Sequence, residues 1–165
     1  MKIMIQRFFF RAASALLCIF ALSSCWKAEE IDFTNFVEIN DIRNTIIDVK
    51  YKSATVDGLS LILDAGELKL TVTVSDSQIG KVIDLATFQS DASNYWVIKT
   101  GDGEADSRTT RSDRGKMRLN RSDNKGEPVF TLEMDVILGH GYSIVANYAG
   151  TATNADKQDI IDQDD

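Results

Sequence analysis

Only one imidazole is present for a Ser-His-Asp or Cys-His mechanism, that of His140. It stands between Gly139 and Gly141, where the chain must reverse, and reads as a solvent-facing turn residue. The two cysteines are Cys18, inside an apolar run, and Cys25, just after it. The thiol of Cys25 has four possible uses: disulfide partner, nucleophile, metal ligand or lipid attachment point. With no second histidine and few thiols, the sequence does not point to a zinc site of the usual nitrogen and sulfur ligands.

Oxygen chemistry is better supplied. The segment Gly101-Asp102-Gly103-Glu104-Ala105-Asp106 sets three carboxylates at alternate positions, with Asp113 further on. That is roughly the ligand spacing of a calcium loop. Ser107, however, stands where the sharp turn needs glycine, and Arg108, Arg111 and Arg114 can neutralise the acids. The stretch between Thr100 and Gly115, about fourteen residues, is long for a hairpin connection and is a candidate contact region for a partner or an anionic glycan. Tyr95 and Trp96 are neighbours on an expected strand, so one faces the core and the other is a candidate for stacking on a sugar ring. Glu133 and Asp135 share a strand face, the raw material of a glycosidase pair, but alternation on a solvated strand places acids there without chemistry.

The elements that position these groups begin with the N-terminus. Lys2, Arg7 and Arg11 precede an apolar run from Ala12 to Leu22, which closes on Ser23 and Ser24, the layout of a secretory signal over 1–24. As a helix the run would span roughly 17 Å, against about 30 Å of bilayer hydrocarbon, so it is too short for a transmembrane anchor. The formal charge is −7; removing those three cations leaves −10 for a chain starting at Cys25. Such a balance argues against nucleic acid as a partner. No pattern in the sequence calls for a cofactor.

Leu22-Ser23-Ser24-Cys25 resembles a bacterial lipobox: an aliphatic residue, two small ones, then an obligatory cysteine. The resemblance implies that Cys25 is acylated, becomes the first residue, and holds the protein to a membrane through several acyl chains. Each buried methylene contributes roughly 0.8 kcal/mol, so two or three chains anchor in effect permanently. Cys18 would leave with the signal, and no intramolecular disulfide would then be possible. The next residues, Trp26-Lys27-Ala28-Glu29-Glu30, are similar to the basic-then-acidic export signal of surface-exposed lipoproteins of Bacteroidetes. Taken as residues alone, Lys27, Glu29 and Glu30 fit a solvated tether equally well. The expected location is the outer membrane, at the cell surface or on its periplasmic face.

From Ile31 to Asn44 apolar residues are scattered, and 25–44 reads as a lipidated N-terminus and a tether that joins the domain partway along. Beyond it, apolar residues fall on alternate positions, the period of half-buried strands. Leu68, Leu70, Val72 and Val74 alternate with polar residues; so do Ile47, Val49 and Tyr51, the set Phe130 to Leu138, and Tyr142 to Tyr148. Leu59, Leu61 and Leu63 follow the rule, with Ile62 the exception. Turn signals separate the runs at Asp57-Gly58, Ala65-Gly66, Asn124-Lys125-Gly126 and Gly139-His140-Gly141. Adding Lys81–Leu85, Asn94–Thr100 and Gly115–Arg121 predicts an all-β domain over 45–153. It is an antiparallel meander of seven or eight strands, closed as a β-sandwich or a small flattened barrel. The order of Gly58-Leu59, Ile79-Gly80-Lys81-Val82-Ile83-Asp84-Leu85, Tyr95-Trp96, Gly115-Lys116-Met117 and Tyr148-Ala149-Gly150-Thr151 resembles small uncharacterised lipoproteins of Bacteroidetes. That resemblance implies an all-β domain and carries no catalytic residues across. The tail, 154–165, is rich in aspartate and reads as disordered.

Three functions are consistent with these features. The leading one is a non-catalytic lipoprotein that binds a ligand or serves an envelope complex. A lipocalin-like carrier would need the apolar faces to line a cavity, and a hydrolase would need a cleft of polar groups with perturbed pKa values.

Overall fold

The computed structural model describes residues 35–54, 57–109, 113–139 and 141–156, all within the unit Phe33–Asp165. Among them are twelve strands: β1 (Phe36–Ile39), β2 (Ile42–Thr45), β3 (Asp48–Ser53), β4 (Gly58–Ala65), β5 (Leu68–Ser75), β6 (Ile83–Asp84), β7 (Trp96–Thr100), β8 (Gly103–Asp106), β9 (Arg114–Asn124), β10 (Glu127–Ile137), β11 (Ser143–Thr151) and β12 (Thr153–Asn154). They form two six-stranded sheets, ordered β2-β1-β11-β10-β9-β6 and β12-β3-β4-β5-β7-β8. Neither closes on itself, so the architecture is a β-sandwich and not a barrel.

The alternation in the sequence is what drives this layering. In the first sheet Val37, Ala146, Met134, Met117 and Ile83 lie side by side across five strands, all inward. In the second, Tyr51, Leu61, Val72, Ile98 and Ala105 make the equivalent row. Both rows belong to one apolar cluster, with Trp96 and Phe130 its largest fully buried members. The Phe130 ring, from the first sheet, meets Tyr51 of the second at 5.0 Å between centroids. Large side chains thus occupy the inward positions that a carrier would leave as a chamber.

Hairpin chemistry sets the registers. Asn40 and Asp41 both take positive φ, at 49° and 66°, and join β1 to β2 as a two-residue turn. Lys125 and Gly126, at 57° and 90°, do the same between the two longest strands.

Three expectations need correction. The meander holds for β3-β4-β5 and β9-β10-β11, but the chain changes sheet between β2 and β3, β5 and β6, β6 and β7, β8 and β9, and β11 and β12. Short strands at the sheet edges bring the number to twelve instead of seven or eight. The expected tether over 25–44 gives way at Phe36: β1 pairs with β11 along its whole length and buries Val37 completely. At the other end, β12 pairs with β3 as the only parallel pair among the described residues, and Asp156 accepts a hydrogen bond from the Ser53 amide at 3.0 Å. The domain therefore extends past both expected limits, 45 and 153.

Candidate functional site

Outward positions of the second sheet form a groove of about 400 Å³. The register assembles it from two rows, Lys52, Ser60, Thr73, Val97 and Asp106 across five strands, then Ile62, Thr71, Lys99 and Glu104 across four. Both rows centre on β4 and β5, where the side chains are short or aliphatic, and end in longer charged ones. Ser60 and Thr73 share a hydroxyl hydrogen bond at 2.8 Å, and Ser60 is 4% exposed. Val97, although outward, is 8% exposed.

Tyr95 closes one end, with Arg108 across it. Side-chain direction reverses between Tyr95 and Trp96, as alternation requires: Trp96 enters the apolar cluster and Tyr95 lines the groove. The Arg108 guanidinium lies 4.8 Å from the Tyr95 ring centre. Asp106 fixes it there, accepting from Arg108 Nε at 2.9 Å and Nη2 at 2.5 Å, and from the Arg108 amide at 2.8 Å. Expected sugar stacking on this pair is corrected accordingly. Trp96 is core, Tyr95 is only 3% exposed, and the planar group offered to solvent is the guanidinium that covers it.

The electrostatics follow from these contacts. Hydrogen bonds from Arg108 hold the Asp106 carboxyl below its ordinary value, and the same bonds raise Arg108. Burial pushes the Tyr95 phenol up, partly opposed by the Arg108 charge. Asp106 is a carboxyl with a depressed folded pKa. Its contribution to stability is present above the unfolded value of 3.8 and disappears as pH falls through the lower folded value. A carboxyl-carbon NMR titration of Asp106 is expected to give a midpoint below 3.8, moving up to the ordinary range in Arg108→Gln; a midpoint at or above 3.8 in the unsubstituted protein contradicts the pairing.

The four acids proposed as calcium ligands do not converge. Asp102 sits in the turn between β7 and β8, where its charge and a hydrogen bond help raise the Tyr142 phenol behind a larger effect of desolvation. Glu104 pairs with Lys99 and Asp106 with Arg108. Asp113 is buried and accepts from the Gly139 amide. No group of three or more possible metal ligands occurs among the described residues. The expected long loop from 101 to 114 is shortened by β8, which folds Gly103–Asp106 back onto β7. Glu133 faces outward and pairs with Arg118 at 2.9 Å, whereas Asp135 stands beside Lys116 in the register. Cys25, Lys27, Glu29, Glu30 and His140 lie outside the described residues.

Lys52, Ser60, Ile62, Thr73 and Val97 were not singled out by motif, yet two of them left a mark. Ile62 breaks the alternation of β4, and Trp96-Val97-Ile98 is apolar on both faces of β7. Outward apolar residues on two strands flanking β5 announce a face that is not simply solvated.

Comparison with protein-family models, with curated proteins and with solved structures gives no match. The class is therefore defined by the fold: an all-β sandwich with a charged groove on one outer face.

Proposed function

We propose that this chain is a lipid-anchored binding domain of the bacterial outer envelope, without catalytic activity. The observation that carries the reading is Leu22-Ser23-Ser24-Cys25, set at the end of a short apolar run and followed by a folded β domain. In the sequence ten residues, 26–35, separate the acylated Cys25 from β1, and Lys27, Glu29 and Glu30 direct the protein to the cell surface. A filled interior supports placing ligand on the outer groove instead of between the sheets. The groove's two acids are each engaged by a cation, and Asp106 is held ionised, the opposite of what a general acid requires.

In cells fed labelled palmitate, the unsubstituted protein is expected to carry label and to sediment with membranes. Cys25→Ala is expected to lose both. Equal labelling, or equal sedimentation after a carbonate wash, defeats the anchor. Protease treatment of intact cells addresses the leaflet: degradation supports surface display, and protection until the outer membrane is opened contradicts it.

A further inference from the structure

We infer that the groove across β3, β4, β5, β7 and β8 binds an acidic saccharide, with Lys52 receiving a carboxylate and the floor of β4 and β5 receiving the ring. This rests on the reading of the domain as a binding module and names the ligand class. The groove's volume, about 400 Å³, falls within the range of ligand pockets, about 300–1,000 Å³. That is room for a short saccharide segment.

Three features of the lining select this chemistry. First, charge in the groove runs against the molecule: Lys52, Lys99 and Arg108 outnumber Glu104 and Asp106 in a chain of net charge −7. Lys99 and Arg108 are committed to the two acids, whereas Lys52 is exposed and has no ion-pair partner among the described residues. It is a cation at the end of the row holding Ser60 and Thr73, and its position favours an anion on the ligand.

Second, the floor is amphipathic. Thr71 and Thr73 present hydroxyls, that of Thr73 already bonded to the buried Ser60 beneath it, while Ile62 beside them presents aliphatic surface. A pyranose has the same division, with hydroxyls around its edge and C–H groups on its faces. Third, the Asp106–Arg108 and Lys99–Glu104 pairs place acceptors and donors together along one wall. Paired in this way they can bridge neighbouring hydroxyls without leaving a buried charge unmatched. An extended peptide would instead call for unpaired backbone groups on a strand edge. Under the floor β4, β5 and β7 are hydrogen-bonded on both sides, and the edge strand β8 lines only one wall.

The test is calorimetric titration of the full chain in detergent with hexamers of galacturonate, of alginate and of hyaluronan, beside neutral maltohexaose and hexaglutamate. At least one acidic hexamer is expected to bind, about tenfold more tightly than the neutral one, and more weakly as salt rises. Lys52→Gln is expected to weaken it about tenfold, the scale of one charge-assisted hydrogen bond. Arg118→Gln, on the other sheet, should leave it unchanged. Arg108→Lys keeps the charge but loses the fork to Asp106 and should also weaken binding, with an unaltered melting temperature for Lys52→Gln as the fold control. No binding by any of the three acidic hexamers overturns the assignment. So does equal binding of hexaglutamate, which points to a peptide, or indifference to Lys52→Gln. None of these results bears on acylation of Cys25, which palmitate labelling reads independently.

Discussion

Phe130→Ala is expected to lower the stability of the domain by about 3–5 kcal/mol and its melting temperature by roughly 10–20 °C. The ring is fully buried, comes from β10, and reaches Tyr51 on the opposite sheet. Gly150 stands directly beside it on β11, and the Tyr148 ring that covers Gly150 is held in place by the hydrogen bond its hydroxyl donates to the Thr151 carbonyl. Removal therefore deletes the apolar contact and leaves a cavity at the junction of the two sheets. Arg121 lies 5.5 Å from the Tyr51 ring centre and 5.9 Å from that of Phe130, and would have to desolvate to fill the gap. Glu133→Ala, three residues along the same strand but outward, removes only an exposed ion pair and should cost less than about 1 kcal/mol. Thermal or urea unfolding distinguishes the two. A Phe130→Ala protein that melts with the unsubstituted one would mean that the sheets are not joined through this ring.

Gly115→Ala should be comparably severe, at roughly 4 kcal/mol, for a different reason. Its φ of 103° is one that residues with a Cβ rarely adopt. The added carbon would also press on the Asp135 carbonyl and lie 2.6 Å from the Val136 Cα. Those atoms belong to the backbone of β10, paired with Gly115 in the ladder, so relief requires parting the two longest strands. Its carbonyl additionally accepts the Leu85 amide at 2.9 Å, which ties β6 and the following turn to this point. Gly101→Ala is the matched control: nothing lies within 4 Å of its Cβ position. It should change stability by no more than about 0.5 kcal/mol. Equal melting temperatures for the two alanine variants would contradict the strand geometry at Gly115.

What was legible in the sequence was local. The alternation in Leu68–Ser75 and Phe130–Leu138 identifies strands because side-chain direction depends only on neighbouring backbone, and Asn124-Lys125-Gly126 fixes a hairpin for the same reason. The strands β1 and β2 escaped because each has four residues, and β11, the partner that ties β1 into the sheet, lies about a hundred residues away. Nothing periodic in so short a segment reports that pairing. The same non-locality explains why a meander was expected where the chain repeatedly changes sheet. Tyr95 and Trp96 divide between the faces as alternation demands, but Arg108 covering Tyr95 depends on how β8 folds back. Spacing of Asp102, Glu104 and Asp106 resembled a metal loop until that fold-back gave Glu104 to Lys99 and Asp106 to Arg108. Ile62 and Val97 were visible as exceptions to the pattern. Only the register of β4, β5 and β7 shows that these exceptions meet on one floor.

On the proposed function, the mature chain begins at an acylated Cys25 and presents this sandwich from the envelope. Intact mass spectrometry of the protein extracted from membranes tests it most directly. The predicted result is a polypeptide starting at Cys25, heavier than the residues alone by a diacylglyceryl group with or without a further amide-linked chain, and absent in Cys25→Ala. A chain that retains Met1, or one cleaved at another residue with no added mass, would contradict it.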